Sequence, residues 1–363
     1  MLLMLQKIKQ TCFILLAAGL CLSPLLVQAK PIYEWKMAET WPKDFPIFGD
    51  AAKRFVDNVK VLSGGRMEVV TESREIHKQP FGVFDLVRKG DYAMGHSASF
   101  YWKDKDINTA FFTSLPMGMT TIEQYGWFYH GGGQALMQKA YKKHGLLSFP
   151  GGNTGMQMGG WFNKSIDSLD DLQGLKMRIP GLGGQVLKEL GVDTVNLPPD
   201  ELLDALKTGK VDALEWVGPS MDVGMGFPSA AKYYYTGWHE PATELQFLIN
   251  RELFENLPDD LQQVVVMSMR LAAYDTYVQA YHANSEQLDV ILKQYGDIKI
   301  RSFPPRVLTK IREKTIEVLD KLEQSSSDPL TSEIVSSIKD YKRKVRLWTR
   351  FSDMAFLNTT PGF

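Results

Sequence analysis

Two different spacings of apolar residues organise the first part of the chain. Between the strand-like stretches "PIYEWKMAET" and "MEVVTES", apolar residues keep the i, i+3, i+4, i+7 spacing of an amphipathic helix from Phe48 to Leu62. A second helical stretch, "QPFGVFDLVRKGD", ends at Gly90, and "YAMGHSASF" follows as a buried strand. Strands that alternate with helices in this way predict a βαβ unit and a largely parallel sheet.

A second series of alternating elements begins near Thr154. The pattern predicts strands in "GMQMGGWFN", "LKMRIPG", "DTVNLP", "VDALEWVGP" and "ELQFLIN", and helices in "GGQVLKELG" and "PPDELLDALKTGK". From about Asp259 the chain is almost wholly helical and rich in charge. The simplest fold with this order has two α/β lobes, repeated crossings of the chain between them and a helical C-terminal tail. In such folds, ligands bind in the crevice at the carboxyl ends of strands.

The N-terminus has the three regions of a secretory signal peptide. Lys7 and Lys9 make its start basic, residues 12–22 are apolar, and Pro24 precedes the small residues of a cleavage site that ends at Ala29. The alternative is an uncleaved membrane anchor, but the apolar run is short for a bilayer span. We therefore expect this segment to be removed and the protein to be exported.

Removal of the signal peptide leaves a chain without thiols. Cys12 and Cys21 both lie inside it, so the mature protein can form neither a disulfide nor a thiolate metal site. The roughly 330 remaining residues are enough for two lobes with buried cores. Loss of two lysines with the signal changes the formal net charge from −1 to −3. Neither this charge nor the remaining hydropathy pattern favours a nucleic-acid partner or a membrane span.

Arg178 is the first candidate binding residue. It ends a predicted strand and precedes Pro180, a group of glycines and a predicted helix. A surface arginine that lays its stem along the protein is one interpretation. The other is a carboxylate receptor, because a guanidinium fork beside a helix N-terminus suits that ligand. The glycine sequence is not a dinucleotide fingerprint, since Val186 occupies the place of the third glycine.

Glu215 is the second candidate, because it interrupts the apolar run of residues 211–217. Burial of an unpaired carboxylate costs on the order of several kcal/mol. Glu215 therefore either faces solvent or has a positive partner. A structural ion pair and a cation site both satisfy this condition. Trp216 through its carbonyl, Glu240 and the amide of Gln157 could add oxygen ligands, and oxygen-only donors favour Na⁺ or Ca²⁺ over zinc or copper.

The sequence lacks the motifs of several enzyme classes. "GHSAS" is missing the second glycine of a nucleophile elbow, and no H-E-x-x-H occurs. The six histidines are scattered, and we interpret them all as structural or exposed: His77, His96, His130, His144, His239 and His282. Several aromatic residues are expected in the core: Trp102, Phe111, Phe112, Trp127 and Phe128.

The same stretches resemble the receptors of tripartite ATP-independent periplasmic (TRAP) transporters. The resemblance rests on blocks spread over nearly all of the mature chain: "GDYAMGHSASFYW", "NTGMQMGGWF", "SLDDLQGLKMRIPGLGGQVLKELG", "TGKVDALEWVGP" and "KYYYTGWHEPATELQFLINRELFENLP". Within the family, the chain looks most similar to the branch that binds 2-oxo and 2-hydroxy monocarboxylates with a metal cation.

This resemblance implies an α/β, two-lobed periplasmic-binding-protein-like fold with crossing strands, a hinge helix and a long helical C-terminal extension. The implied segments are a signal peptide at 1–29, mainly lobe I at 30–153, mainly lobe II with crossing strands at 154–250, return helices and a strand to lobe I at 251–303, and a dimerisation segment at 304–363.

The resemblance also assigns site residues. Those matching substrate-binding positions are Arg178, Gln157, Asn153, Tyr101 and Trp216. Those matching ligands of one Na⁺ or Ca²⁺ ion are Glu215, Trp216, Glu240 and Gln157. The substrate would then bridge the arginine and the cation. We also expect four methionines to give this cleft an adaptable apolar wall: Met156, Met158, Met221 and Met225.

The implied function is that of a periplasmic solute receptor that makes and breaks no bond. It would pass a small 2-oxo or 2-hydroxy acid to the TRAP membrane permease subunits for Na⁺-driven uptake, and would form a homodimer through its tail. Two alternatives remain open at this point: a periplasmic metal-assisted enzyme acting on such acids, and a sensory receptor.

Overall fold

The computed structural model describes residues 32–195, 197 and 199–359. The predicted signal peptide therefore lies outside the described residues. The strands are β1 Tyr33–Glu39, β2 Met67–Glu72, β3 Met94–Ser97, β4 Leu146–Asn153, β5 Gly160–Phe162, β6 Lys176–Arg178, β7 Asp193–Val195, β8 Ala213–Leu214, β9 Tyr233–Tyr235, β10 Glu244–Asn250 and β11 Lys299–Arg301. The helices are α1 Phe48–Leu62, α2 Arg74–His77, α3 Val83–Lys89, α4 Ile107–Ala110, α5 Thr121–His130, α6 Gly133–Lys142, α7 Gly181–Lys188, α8 Leu202–Lys207, α9 Pro219–Gly224, α10 Arg251–Glu255, α11 Asp259–Gln294, α12 Pro305–Ser325, α13 Pro329–Phe351 and α14 Asp353–Thr359.

Lobe I is built on a sheet in the order β2-β1-β3-β10-β4. Strands β1, β2 and β3 run parallel, as the βαβ pattern predicts, whereas β10 is antiparallel to both β3 and β4. Helix α1 has the predicted bounds, and Phe55 and Val59 on its apolar face are fully buried against this sheet. The five predicted core aromatics are also buried in this lobe, so that prediction is confirmed.

Lobe II is built on a sheet in the order β11-β9-β5-β8-β6-β7. Strands β5 and β8 are shorter than their apolar stretches predict, because the residues beside them serve as connections between lobes or line the cleft. The interpretation of segment 251–303 as returning a strand to lobe I is wrong: β11 pairs in parallel with β9 in lobe II. Segment 154–250 also ends in lobe I, since β10 belongs to the first sheet.

Helix α11 joins the cores of the two lobes. It has 36 residues and is therefore about 54 Å long. Leu261 and Val265, near its start, are buried with strands of lobe I, whereas Ile291, near its end, is buried with strands of lobe II. Two extended segments, residues 154–159 and 236–243, also cross between the lobes. The implied hinge helix and crossing segments are therefore present.

The tail contacts both lobes of its own chain. In helix α12, Val307 and Ile311 are fully buried against lobe II, and in helix α13, Ile334 and Ile338 are buried against lobe I. Packing within the chain thus accounts for part of the apolar surface of segment 304–363, which the resemblance assigns to dimerisation. The end of the tail is different, because Trp348 and other large apolar residues there are exposed.

Candidate functional site

A cavity of about 810 Å³ lies between the two lobes. Six of the residues singled out in the sequence contribute to its wall: Tyr101, Gln157, Arg178, Glu215, Trp216 and Glu240. Much of the remaining wall is aromatic: Trp41, Phe45, Phe48, Phe81 and Phe100. The volume lies within the range of small-molecule sites, which are mostly apolar with a few polar anchors.

Strand order brings Arg178 and Glu215 together. Strands β6 and β8 are parallel neighbours in which Arg178 is opposite Leu214, and the backbone N–H of Glu215 donates to the Arg178 carbonyl at 2.9 Å. Both side chains therefore emerge at the carboxyl edge of one sheet, as the general rule for α/β folds predicts. Helix α7 begins at Gly181, so the glycines lie inside its first turns and not before it. Gly184 is needed there, since a Cβ would lie 2.5 Å from the carbonyl of Ile179.

Arg178 uses only part of its hydrogen-bonding capacity on protein groups. Its Nη1 donates to the backbone carbonyl of Glu215 at 2.7 Å and lies 3.4 Å from the Oε2 of the same residue. The Cζ atom is 5.4 Å from the centre of the Trp216 ring. Nε is buried and has no partner among the described residues. The guanidinium is thus fixed in position and keeps a donor for another group.

The amide of Gln157 is oriented by two hydroxyl groups. Its Nε2 donates to Thr154 at 3.2 Å and to Thr243 at 3.0 Å. The hydroxyl of Thr243 in turn donates to Glu240 Oε2 at 2.5 Å. The amide oxygen of Gln157 is buried and has no partner among the described residues. An oriented, unpaired oxygen of this kind fits a hard cation, whose ligands are carboxylate, amide and carbonyl oxygens.

Two carboxylates and one histidine form a buried cluster beside this amide. Ligand atoms of Glu215, His239 and Glu240 lie within 4.8 Å of one another. Burial, with the Glu215 charge second, raises the pKa of Glu240. Burial lowers the pKa of His239, but the neighbouring carboxylates of Glu215 and Glu240 together outweigh this effect and raise it overall. Two buried acids that repel each other are stabilised by a positive partner, and the oxygen atoms of Glu215, Glu240 and Gln157 are ligands that suit Na⁺ or Ca²⁺.

His239 belongs to this cluster, so its interpretation as merely structural or exposed is incomplete. Its Nε2 lies 3.3 Å from Glu215 Oε1, although neither ring nitrogen has an aligned hydrogen-bond partner among the described residues. The residue does not line the cavity but is buried behind Glu215. Its position next to Glu240 in the sequence was the available signal.

Asp222 is a second supporting residue, which no sequence pattern indicated. Its Oδ1 accepts from the backbone N–H groups of Val217 at 3.2 Å and Gly218 at 3.0 Å. Its Oδ2 accepts from Trp161 at 2.9 Å and Tyr234 at 2.7 Å. Burial raises the pKa of Asp222 to about 7. This carboxylate anchors the backbone that directly follows Glu215 and Trp216, and so supports the wall of the cavity.

Asn153 does not lie where the resemblance places it. It is fully buried, and its Nδ2 donates to Gln124 at 3.0 Å and to Glu244 at 2.9 Å. Its Oδ1 accepts from Thr121 at 2.8 Å and from the backbone of Gly155 at 2.9 Å. The side chain connects helix α5, strand β10 and the crossing segment at the point where strand β4 ends, and it does not line the cavity. Its assignment to substrate binding is therefore corrected to a role in the crossing between lobes.

Tyr101 does line the cavity, beside Phe81 and Phe100. Burial raises the pKa of Tyr101 to about 12, so the phenol stays protonated at neutral pH and can donate a hydrogen bond. The expectation of a methionine wall is wrong, because no methionine among the described residues lines the cavity. Met156 is half exposed, and the others pack into apolar clusters: Met158, Met221 and Met225.

The chain matches a family model. Residues 37–325 match the model for bacterial extracellular solute-binding protein, family 7 (DctP). Over 330 residues, the chain is 35% identical to a monocarboxylate 2-oxoacid-binding periplasmic protein of Nostoc sp. strain PCC 7120, covering 90% of this chain and 89% of that protein.

Two solved structures share about half of the sequence. The first is a TRAP periplasmic solute-binding protein from Colwellia psychrerythraea with bound calcium and pyruvate, at 51% identity and a TM-score of 0.88. The second is a TRAP periplasmic solute-binding protein from Pseudoalteromonas atlantica T6c with bound sodium and pyruvate, at 52% identity and a TM-score of 0.86. Each alignment covers 90% of this chain and 99% of the other.

Proposed function

The chain belongs to family 7 of the bacterial extracellular solute-binding proteins, the periplasmic receptors of TRAP transporters, and from this premise we propose that its ligand is a 2-oxo monocarboxylate bound together with Na⁺ or Ca²⁺. Its relatives are receptors and not enzymes. The observation that carries the proposal is the pair of buried, unpartnered polar atoms at one cavity: the Nε of Arg178 and the Oε1 of Gln157. One is a charged donor that suits a carboxylate, and the other is an acceptor that suits a cation.

The cavity residues divide into two groups of opposite polarity. On the positive side, Arg178 pairs with the ligand carboxylate, and the protonated Tyr101 donates to it. On the negative side, Glu215 and Glu240, the amide oxygen of Gln157 and the carbonyl of Trp216 would hold the cation. A bound cation would neutralise the two acids and attract the ligand's oxygens. A 2-oxo acid carries a carboxylate and a neighbouring carbonyl, so one small molecule matches both groups.

The cavity leaves room beyond the smallest such ligand. Its volume of about 810 Å³ is near the upper end of the range for small-molecule sites, and its aromatic wall consists of side chains from lobe I: Trp41, Phe45, Phe48, Phe81 and Phe100. We therefore propose that the cavity also binds 2-oxo acids larger than pyruvate, with a short apolar side chain.

Calorimetric titration tests the proposed function. Pyruvate and longer 2-oxo acids are titrated into protein stripped with a chelator, and again after addition of Na⁺ or Ca²⁺. We expect one ligand per chain, an affinity at least about tenfold higher with the cation than without it, and recovery of the ligand unchanged. Acetate is the matched control, because it keeps the carboxylate and lacks the 2-oxo oxygen. Undiminished affinity for pyruvate in metal-free buffer, or its chemical conversion, contradicts the proposal.

The N-terminal segment completes the proposed export to the periplasm. We propose that residues 1–29 are cleaved after Ala29, on the evidence of the basic start, apolar run and cleavage-site residues in the sequence. None of the helices in the described part of the chain has the length and apolarity needed to cross a bilayer. Sequencing the N-terminus of the exported protein tests the cleavage site. The TRAP membrane permease subunits are the proposed partner in transport.

A second copy of the chain is a further proposed partner. Helix α11 carries a row of exposed apolar residues with alternating spacings of four and three, typical of a helix-packing seam: Met267, Leu271, Tyr274, Val278 and Tyr281. The end of the tail exposes a second apolar group: Leu347, Trp348, Phe351, Met354 and Leu357. Apolar surfaces of this kind are unusual on a monomer. We propose that the tail of one copy packs against the α11 seam of the other.

Sedimentation at micromolar concentration tests the dimer. The mature protein is expected at twice the mass of one chain, and the double variant Trp348→Asp/Phe351→Asp is expected at the mass of one chain. Loss of two buried aromatic side chains from the interface should weaken association by at least roughly a hundredfold. Val70→Asp is the control, because Val70 is similarly exposed but lies in β2, away from both groups. A monomeric native protein, or a dimeric double variant, contradicts the proposal.

A further inference from the structure

A strained turn lies between the tail and the cluster of acids. Residues 115–118 form a tight turn that is closed by a hydrogen bond from the Gly118 N–H to the Leu115 carbonyl at 2.9 Å. Pro116 and Met117 occupy its centre, and Met117 has φ 54°. A turn of this type favours glycine or asparagine at that position, because other side chains are strained at positive φ. The turn therefore needs support from its surroundings.

Two cations of helix α13 bind the carbonyl groups of this turn. The ammonium of Lys342 donates to the Met117 carbonyl, and Arg346 donates to the Gly118 carbonyl at 2.9 Å. The same guanidinium makes two bonds with the buried carboxylate of Glu123, at 2.9 Å and 2.7 Å. Hydrogen bonds from charged donors are among the stronger ones in proteins. Helix α13 thus holds the turn in its strained conformation.

The same turn also contacts the segment that carries His239 and Glu240. The Met117 N–H donates to the Trp238 carbonyl at 2.9 Å. Ser114, just before the turn, lies beside the Glu240 side chain. These two contacts lie at the two ends of residues 238–240, a segment outside the strands whose Glu240 carbonyl also accepts from the Gln157 N–H at 3.1 Å. The turn therefore helps to set the position of this segment.

We propose that Lys342 is a positioning residue for the cation site, acting through the Met117–Gly118 turn on the segment that carries Glu240. This inference rests on the proposed function, since it assumes that Glu240 belongs to a cation site. It adds that the tail, beyond any part in a dimer, sets the cation affinity of its own chain. The affinity effect is expected because groups that orient metal ligands typically contribute about tenfold or more to metal affinity.

Calcium titration at saturating pyruvate tests the proposal. Lys342→Met is expected to bind Ca²⁺ about tenfold more weakly than the native protein, with its unfolding midpoint close to the native value. Helix α13 should stay docked, because Ile334 and Ile338 are buried against lobe I and the Trp127 indole donates to Ser337 at 3.1 Å. Lys339→Met is the matched control on the same helix, since Lys339 pairs with acids of helix α12 and not with the turn.

A rescue variant separates positioning from a purely structural role. Adding Met117→Gly to Lys342→Met gives the turn a residue that adopts positive φ without strain, so Ca²⁺ affinity should return to within about threefold of native. A structural role of Lys342 in docking the tail would not be rescued by this change. Gly118→Ala disturbs the turn without changing any residue of the tail, because the new Cβ would lie 2.6 Å from the Leu115 carbonyl, and it should lose affinity too.

Each result has one meaning for the proposal. Native-like Ca²⁺ affinity in Lys342→Met overturns it; if that variant does not fold, native-like affinity in Gly118→Ala overturns it. Failure of the glycine rescue also overturns it. If the native protein itself binds pyruvate without any cation dependence, the proposed function is wrong, and this outcome is visible in the native titration alone.

Discussion

Replacement of Arg178 by lysine should weaken binding of pyruvate by at least roughly thirtyfold, although the positive charge is kept. The Nη1 of Arg178 is already used on the Glu215 carbonyl at 2.7 Å, whereas its buried Nε has no partner among the described residues. A guanidinium can hold the protein with one nitrogen and the ligand with others. A single ammonium cannot reproduce this fork.

The size of the effect follows from the cost of leaving one partner of a buried charge pair alone, about 2 to 5 kcal/mol. At about 1.4 kcal/mol per factor of ten, the lower limit corresponds to the thirtyfold loss. Arg178→Ala should lose at least as much. The measurement is calorimetric titration with pyruvate at saturating Ca²⁺, with thermal unfolding to show that the variant is folded.

Arg74→Lys provides the matched control for this prediction. Arg74 also lines the cavity, but it pairs with Glu75 at the surface at 3.5 Å. The same chemical change there should alter affinity by less than about threefold. If Arg178→Lys bound pyruvate as the native protein does, the bidentate role of the guanidinium would be wrong.

Glu215→Gln should remove the cation dependence of binding together with most of the affinity. Oε2 of Glu215 lies 3.4 Å from Arg178 and Oε1 lies 3.3 Å from His239, so the carboxylate could serve as a simple ion pair. That interpretation leaves an anionic ligand facing two acids, Glu215 and Glu240. Like charges about 4 Å apart repel by about 4 kcal/mol at an effective dielectric constant of 20.

The neutral amide keeps the shape of Glu215 and removes its charge. We expect at least a roughly hundredfold loss in Ca²⁺ affinity, equivalent to about 2.7 kcal/mol, measured by Ca²⁺ titration at saturating pyruvate. Glu201→Gln is the control, because Glu201 is exposed and pairs with Lys210 at the surface. A purely structural Glu215 would give the opposite pattern: lower thermal stability and an unchanged dependence on the cation.

The two main site residues were predictable because their positions follow from local rules. Arg178 and Glu215 each end an apolar strand, and parallel neighbours place their carboxyl ends at one edge of the sheet. No long-range information is needed for that conclusion. A carboxylate inside an apolar run also signals a positive partner, because burial of a lone charge is costly.

Asn153, by contrast, could not be placed from the sequence. Its four hydrogen-bond partners come from helix α5, strand β10 and the following crossing segment, and nothing near Asn153 in the chain indicates that they meet. His239 was missed for a related reason. Neighbouring residues of a regular extended segment point to opposite sides, whereas the ligand atoms of His239 and Glu240 lie within 4.8 Å of each other. Only an irregular crossing segment, fixed by long-range contacts, allows this arrangement.

The fold followed the same division between local and long-range information. Helix α1 was predicted with its bounds because its apolar spacing is regular over the whole element. Strand β11 was assigned to the wrong lobe, since its partner β9 lies more than sixty residues earlier in the chain. The sequence shows that a strand is present there but not which sheet it joins.

The tail also has a mechanical consequence. Helix α12 is fixed to lobe II and helix α13 to lobe I, and only residues 326–328 separate the two helices in the chain. Helices α12 and α13 thus form a second connection between the lobes, in addition to helix α11. Two lobes that are connected at two places resist twisting and sliding more than they resist bending about the line through both connections. We therefore expect the cleft to open mainly by bending of the lobes and not by twisting or sliding.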